Sequence, residues 1–541
     1  NSAGVYTYTG VATTSSLNGQ YVRALDNCGA ISLAANGVGT LDFLSSAASD
    51  CSTPGTGGAG NTRSSRTQSY WVNRVKEVGR GWLPAVAWLS GQLTANVNIN
   101  DTCNAYWNGS TINFFRSGGG CGNTGEIPAV SLHEYGHGLD SNDGTGAPPE
   151  NGSGETVGDW SASLATHSSC IGAGFRATNC SGYGNACTAC TGVRDIDWAK
   201  HARNVASTVA NFTQTTCPQP NANNPNYVGP CGRDAITRGV TANKREGHCE
   251  SYISSQALWD IAARDLPNPG SGTAWSTLDR LWYTTRTQTT GFFQCSTTPA
   301  TWTSDGCAVG TLFRTFRAAD DDDGNLANGT PHSGALFAAF DRHEIACATD
   351  AGASTSFSGC TPPSVPTLTV TPGASQMSLS WTNSGGGIVY DVYRNETGCD
   401  SGFAKIADDV ATTSFIDTQT NSLSSYFYQV IAHPSGNEAC AAAPTTCTAA
   451  TVLGNADLWS KDKPWDTGGE PDPLTAADNM WESEDIWIRR NQTAGPHQDP
   501  LLGSINYVHV LWKNEGPATA VNAVVEVYIS PASTGLSWPS D

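Results

Sequence analysis

The chain has 541 residues, of which only 14% are charged, and its formal net charge is -20 with 59 glycines among abundant Ser, Thr and Asn. That length exceeds one ordinary core and predicts a domain of roughly 250–350 residues with one or two smaller ones. An acidic surface of this kind repels phosphate backbones and anionic membranes, which excludes nucleic acid as a natural partner. No uninterrupted apolar run reaches the roughly 18 residues a membrane span needs.

The 18 cysteines are even in number and scattered, as in chains that mature in an oxidising, extracellular setting. Cys187 and Cys190 form a lone CxxC without a second CxxC or a neighbouring His pair, so they read as halves of disulfides rather than zinc ligands. The opening "NSAGVYTYTG" has neither a basic region nor an apolar one. The expectation is a secreted mature form from which an export signal and a pro-segment, as in a zymogen, have been removed.

In chain order, residues 1–126 read as β-rich, with the short apolar runs "YVRAL", "LTANVNIN" and "STINFF" broken by Gly, Asn and Ser. Residues 127–355 read as helical: "IPAVSLHEYGHGLD", "GETVGDWSASLATHS" and "CESYISSQALWDIAARDL" carry apolar residues at three- and four-residue spacing. The two halves together form a predicted domain 1–355. The acidic run "DDDDGNLANGTPH" offers Asp320, Asp321, Asp322, Asp323 and Asn325 as oxygen ligands for a structural calcium ion. It is no EF-hand, because Ala319 and Thr330 fall where that loop needs its first and twelfth ligands.

After a Pro-rich linker, residues 362–450 alternate in short strands, "MSLSWTN", "VYDVYRNE", "SFIDT" and "SYFYQVIAH". With Trp381 early and "YFYQV" late, this segment resembles a fibronectin type III domain. Residues 451–541 contain "EDIWIRRN", "YVHVLWKNEG" and "AVVEVYIS" and are similar to β-sandwich modules appended to secreted bacterial hydrolases. Neither module shows an aromatic platform for a ligand, so each is expected to act as a spacer, with binding of a surface or substrate left open.

The chemistry concentrates in "HEYGHGLDSND". Pro128 suits the first turn of a helix, and Glu126 just before it suits the positive end of the dipole. On that helix His133 and His137 are four residues apart, one turn, so both imidazoles face one way and can share a metal ion, with Glu134 beside them as a base. A catalytic zinc needs a third protein ligand. Asp143 would suit an HExxHxxGxxD pattern, but Asp140 stands where that pattern needs glycine, and the only methionines are Met377 and Met480, in the appended domains. Glu155 in "GSGETVGDW" follows His137 by 18 residues, enough for a loop and a return on a second helix. Ser153 is placed to cap that helix, and Asp159, one turn after Glu155, is placed to hold an imidazole N–H.

"HEYGHGLD" followed by "GETVGDW" resembles the HExxH plus ExxxD signature of the gluzincins, the thermolysin and fungalysin metallopeptidases. The resemblance spans about residues 60–350 and implies a multidomain α+β chain: a thermolysin-like catalytic domain followed by two all-β sandwiches. It implies one catalytic Zn2+ held by His133, His137 and Glu155, with Glu134 as general base and Asp159 behind a ligand histidine. "NAYWNGSTINFF" is similar to the family's edge strand that pairs with the substrate backbone, which makes Asn104 and Ala105 substrate-binding residues. "EGHCESYISSQALWD" is similar to the family's segment with a histidine at a helix start, which makes His248 the donor to the oxyanion. The implied activity is a secreted zinc endopeptidase acting on proteins or peptides. The competing reading is a catalytically silent adhesion or assembly protein, while an aminopeptidase would need an anionic pocket for which the sequence offers no motif.

Overall fold

The computed structural model describes residues 5–8, 13–35, 39–42, 51, 62–145, 152–211, 247–295, 304–350, 360–422, 424–454, 458–461, 483–514, 520 and 523. The expected strand "AVVEVYIS" lies almost wholly outside them. The chain is a multidomain α+β protein that divides into two compact units. The first comprises residues 1–370, 379–415 and 426–449; the second comprises residues 371–378, 416–425 and 450–541. No helix among the described residues is long and apolar enough to cross a membrane.

The first unit opens with β1 (Val5–Tyr8), β2 (Thr13–Ser15), β3 (Val22–Asp26), β4 (Leu33–Ala35) and β5 (Gly39–Asp42), of which β1 pairs with β5 and β2 with β4. Helix α1 (Arg63–Trp82) follows, then β6 (Leu93–Ile99), β7 (Ala105–Trp107) and β8 (Thr111–Phe115). The central sheet runs β3-β6-β8-β7, parallel except for β7, which lies antiparallel on β8 and forms an edge. The alternating apolar residues Leu93, Ala95 and Val97 of β6 are buried, as are Ile112 and Phe114 of β8, and α1 covers that side with Val72 and Val75.

The expected runs "YVRAL", "LTANVNIN" and "STINFF" form β3, β6 and β8, and to these strands the structure adds the 20-residue helix α1, which the β-rich reading of residues 1–126 did not include. Thr62 starts it by accepting a hydrogen bond from Ser65 N at 3.3 Å, and its hydroxyl donates to Asp26 of the sheet. Its buried face of Gln68, Val72, Val75, Lys76 and Gly79 has the three- and four-residue spacing of a helix, but only two of those residues are strongly apolar.

Beyond the sheet lie α2 (Pro128–Asp140), α3 (Ser153–Thr166), the short pair β9 (Cys170–Ile171) and β10 (Arg194–Asp195), and the helices Gly247–Asp260, Gly272–Thr285, Leu312–Ala319 and Ser333–Arg342, with β11 (Gln294–Cys295) pairing β12 (Ser304–Asp305) among them. One apolar core runs through sheet and helices, with Leu132, Trp160, Leu258, Leu281 and Phe316 among its buried members. Each such side chain contributes about 1.5–3 kcal/mol of burial. Seven disulfides lie among the described residues, including Cys170–Cys190 and Cys180–Cys187, so the CxxC cysteines are disulfide halves paired outward rather than with each other.

From residue 368 on, β13 (Leu368–Pro372), β14 (Met377–Trp381) and β17 (Ser414–Asp417) form a three-stranded sheet in the order β13-β14-β17. A four-stranded sheet has the order β16-β15-β18-β19, from β15 (Ile388–Asn395), β16 (Ala404–Val410), β18 (Ser425–Pro434) and β19 (Thr448–Thr451). Within the first unit this second sheet is docked on the helices rather than tethered as a spacer. Arg74 of α1 donates to Asn395 Oδ1 at 3.0 Å and Gly402 O at 2.9 Å, and Arg394 pairs with Glu77. Ser401 Oγ donates to Ala165 O at the end of α3 at 3.0 Å. Trp82 stacks on Tyr283 and carries the Lys405 ammonium 4.3 Å from its ring centroid. In the second unit β20 (Leu458–Trp459) pairs with β23 (Lys513–Asn514) and β21 (Ile486–Arg489) with β22 (Tyr507–Val510).

The docking is close enough to reverse an ordinary helix rule. A Cβ on Gly81 of α1 would stand 2.3 Å from the carbonyl oxygen of Lys405. Gly→Ala within a helix normally adds up to about 1 kcal/mol, but here overpacking of roughly 1–3 kcal/mol opposes it. Gly81→Ala is therefore expected to lower the thermal unfolding midpoint, read by calorimetry. An unchanged or raised midpoint would show that the sheet is not seated on α1.

Candidate metal centre

Pro128 is the first residue of α2, after Ile127 at the cap position, as the sequence predicts. Helix α3 begins at Ser153, but its cap residue is Gly152, which has no side chain to offer, so Ser153 is not the cap. Glu155 stands in the first turn, where a carboxylate suits the helix dipole. The two helices cross at glycines: a Cβ on Gly136 would stand 2.7 Å from Gly158 Cα, and one on Gly158 would stand 2.6 Å from the ring of His133. Only without those side chains can the helices touch.

That contact brings His133, His137 and Glu155 together, one ligand atom of each lying within 4.8 Å of the others. His133 Nε2 is 3.3 Å from Glu155 Oε2, and His137 Nε2 is 3.7 Å from Glu155 Oε1. Tetrahedral zinc bonded at about 2.0–2.1 Å keeps its ligands about 3.3–3.4 Å apart. The His133–Glu155 separation matches that spacing, His137 faces the other carboxylate oxygen at a longer one, and two imidazoles with a carboxylate are a donor set of the type zinc takes. Behind it, His133 Nδ1 lies 3.1 Å from Asp159 Oδ1, and Ser255 Oγ donates to Asp159 Oδ2 at 3.2 Å. Glu134 is buried and lines the same cleft.

The sequence reading missed Arg194, which nothing in the local pattern of "TGVRDID" marks. It is carried by β10, held by pairing with β9 and by the Cys170–Cys190 disulfide. Its guanidinium is buried, with Nη2 3.2 Å from Glu155 Oε2 and Nε 3.6 Å from Asp159 Oδ1, and Nη1 donates to His248 O and Ser251 Oγ. Losing one member of a buried charge network of this kind costs about 3–5 kcal/mol.

Burial works against charge on His133, yet the adjoining Asp159 and Glu155 carboxylates more than offset it and push its pKa up to about 10. Burial also opposes charge on Glu155, but His133, His137, His248 and Arg194 hold its carboxyl well below the usual carboxylate range. Glu134 has burial as its main influence, which pushes it up to about 7. Burial pushes His137 the other way, down to about 4, so its ring is held neutral, the form that ligates a metal.

A cleft of about 770 Å3 runs past these residues. Asn104 and Ala105 line it, Ala105 as the first residue of edge strand β7, and His248, in the first turn of the helix Gly247–Asp260, places Nε2 3.2 Å from Glu155 Oε1. Asp143 is not among the converging donors, because Arg286 Nε holds it at 2.7 Å. Tyr183 lines the cleft as well.

The calcium reading is corrected at Asp320. That residue ends the helix Leu312–Ala319, is buried, and accepts from Thr330 Oγ1 at 2.7 Å, His332 N at 2.6 Å and Arg280 Nη2 at 3.2 Å, with His332 Nδ1 at 2.7 Å. Asn325 turns its amide oxygen to Ala327 N. Asp321, Asp322 and Asp323 keep their carboxylates close together, though Gly324 N, Cys360 N and Asn325 N already donate to them. Another convergence, Asp391, Asp408 and Glu438, is filled by the Lys405 ammonium at 2.8, 2.8 and 3.4 Å.

No known protein family and no curated protein matches the chain. Solved structures similar to part of it include the fibronectin type-III domain of human fibronectin type III domain containing protein 3, at 23% identity over 18% of this chain and 93% of that one, with a TM-score of 0.16. An Fn3-like protein from Clostridium thermocellum is similar at 21% identity over 16% of this chain and 92% of that one, TM-score 0.15. Pectate lyase Pel3 from Pectobacterium carotovorum is similar at 24% identity over 16% of this chain and 27% of that one, TM-score 0.15. The reading of the centre rests on its own geometry.

Gly158→Ala is expected to drive the His133 ring off its position and abolish tight metal binding, with helical circular dichroism unchanged. Asp159→Asn is expected to weaken metal affinity by about 10–100-fold. Metal content by mass spectrometry after dialysis checks both, and wild-type occupancy in Gly158→Ala would refute the assigned donor set.

Proposed function

We propose that the chain is a secreted zinc-dependent endopeptidase of the gluzincin kind, cutting extracellular proteins or peptides. The observation that carries this reading is the convergence of His133, His137 and Glu155, one ligand atom of each within 4.8 Å of the others, with a buried glutamate, Glu134, in the same cleft. The disulfide framework supports an oxidising destination.

A zinc ion bound by those three residues supplies Lewis acidity, polarising a carbonyl and acidifying water. The protein does the rest. The edge of β7 offers unpaired backbone groups on which an extended peptide adds as a further strand, at Asn104 and Ala105. Glu134, buried and with its proton affinity raised, takes a proton from water and returns it to the departing amide nitrogen. His248 swings from Glu155 to donate a hydrogen bond to the carbonyl oxygen as that atom gains charge, a contact strongest in the transition state. Asp159 and Arg194 hold His133 and Glu155 in place from behind.

Glu134→Gln preserves shape and removes the base, so zinc content should stay near one per chain while casein hydrolysis falls by at least about a thousandfold. Hydrolysis by the unaltered protein should stop with o-phenanthroline and return with added zinc. A fully active Glu134→Gln variant would sink the reading.

A further inference from the structure

The cleft follows α2 from one end to the other. Its wall at the start of the helix is the segment around β9: a Cβ on Gly172 would stand 3.0 Å from Val130 Cγ2 and 3.6 Å from Val193 Cγ2. Its other end closes at the last turn, where Trp107 Nε1 donates to Ser141 Oγ at 3.2 Å beside Asp140. From Val130 to Asp140 the helix rises about 15 Å at 1.5 Å per residue. An extended peptide covers that in roughly four to five residues, with His133 and His137 between the ends.

The two ends differ in charge. At the first, Arg194 is committed to Glu155, Asp159 and backbone, but Arg176 is exposed, lines the cleft, lies 5.6 Å from the Phe175 ring centroid, and has no ion-pair partner among the described residues. At the second, Asp140 and Asp143 share the single guanidinium of Arg286, and Asp143 holds it more closely, at 2.7 Å against 3.6 Å for Asp140. One negative charge is left over, and Asp140 is the carboxylate of that pair that faces the cleft.

We propose, building on the peptidase reading, that the cleft is charge-polarised along α2 and selects peptides with opposite charges on the two sides of the cleaved bond, the cationic side chain meeting Asp140 and the anionic one meeting Arg176. Complementary charges at two fixed points set the direction in which a chain lies as well as its affinity.

The test uses three internally quenched peptides, capped at both ends and alike except at the positions two residues either side of the bond: Lys before and Glu after, the mirror arrangement, and Gln at both. The two charged peptides should differ in kcat/KM by about fivefold or more, a typical yield for partly exposed charge pairs. Arg176→Glu, an exposed substitution, should collapse or invert that ratio, as should Asp140→Asn, and half-molar salt should flatten it. Equal cleavage of the mirror peptides, with the Gln peptide also cut, would overturn the polarity and leave the peptidase intact. If no peptide is cut the peptidase reading fails instead, and fluorescence anisotropy of the two charged peptides then decides the polarity: unequal affinities that Arg176→Glu reverses support it, and equal affinities overturn it.

Discussion

Where α2 crosses α3, Gly136 and Gly158 put backbone against backbone, and the separation between the two helices sets every distance in the centre. With ordinary side chains at the crossing, the helices would stand several ångströms further apart. Glu155 would then fall short of both histidines, and Asp159 would lose the Nδ1 edge of His133. Packing and donor geometry are here one constraint, which is why the small residues lie inside the same two short motifs as His133, His137 and Glu155.

Close approach also concentrates charge. Glu155 and Asp159 are screened from water, and one guanidinium, Arg194, touches both. A single cation beside two carboxylates leaves a deficit that His133 meets by holding a proton or a divalent ion meets directly. Arg194 thus has two duties: it adds to the larger effect of His133 in holding the Glu155 carboxyl low, and through Nη1 it anchors the backbone at His248, fixing the start of the helix that brings that histidine to the cleft.

What the sequence reveals and what it hides divide along range. His133, Glu134 and His137 are legible because helical period alone puts them on one face, and Glu155 with Asp159 is legible for the same reason. The partners of those motifs are not: Arg194, and Arg286 beside Asp140 and Asp143, arrive through tertiary folding and carry no local pattern. Helix α1 was hidden differently, since its buried face uses Gln68, Lys76 and Gly79 where a sequence reader looks for Leu and Ile. Asp320 looked like its acidic neighbours, but as the residue ending a helix it turns inward to Arg280 and Thr330, a direction that spacing does not encode.

The docked sheet bears on the centre through α3. A helix of 14 residues is a rod of about 21 Å, stiff enough that a constraint at one end fixes the other. Ser401 holds the carbonyl of Ala165 near its last turn, and Glu155 occupies its first. Arg74, Glu77 and Trp82 meet the same sheet from α1, which packs on α2. Both helices that carry the candidate donors His133, His137 and Glu155 are therefore braced from behind by a module that contributes none. A metal site loses affinity when its ligands drift by a fraction of an ångström, so a rigid backing has a mechanical role even where it touches neither substrate nor ion. That role accounts for the side chains at this interface, with paired guanidinium and carboxylate groups, a stacked tryptophan and a glycine at closest approach, in a way that a loosely tethered spacer would not.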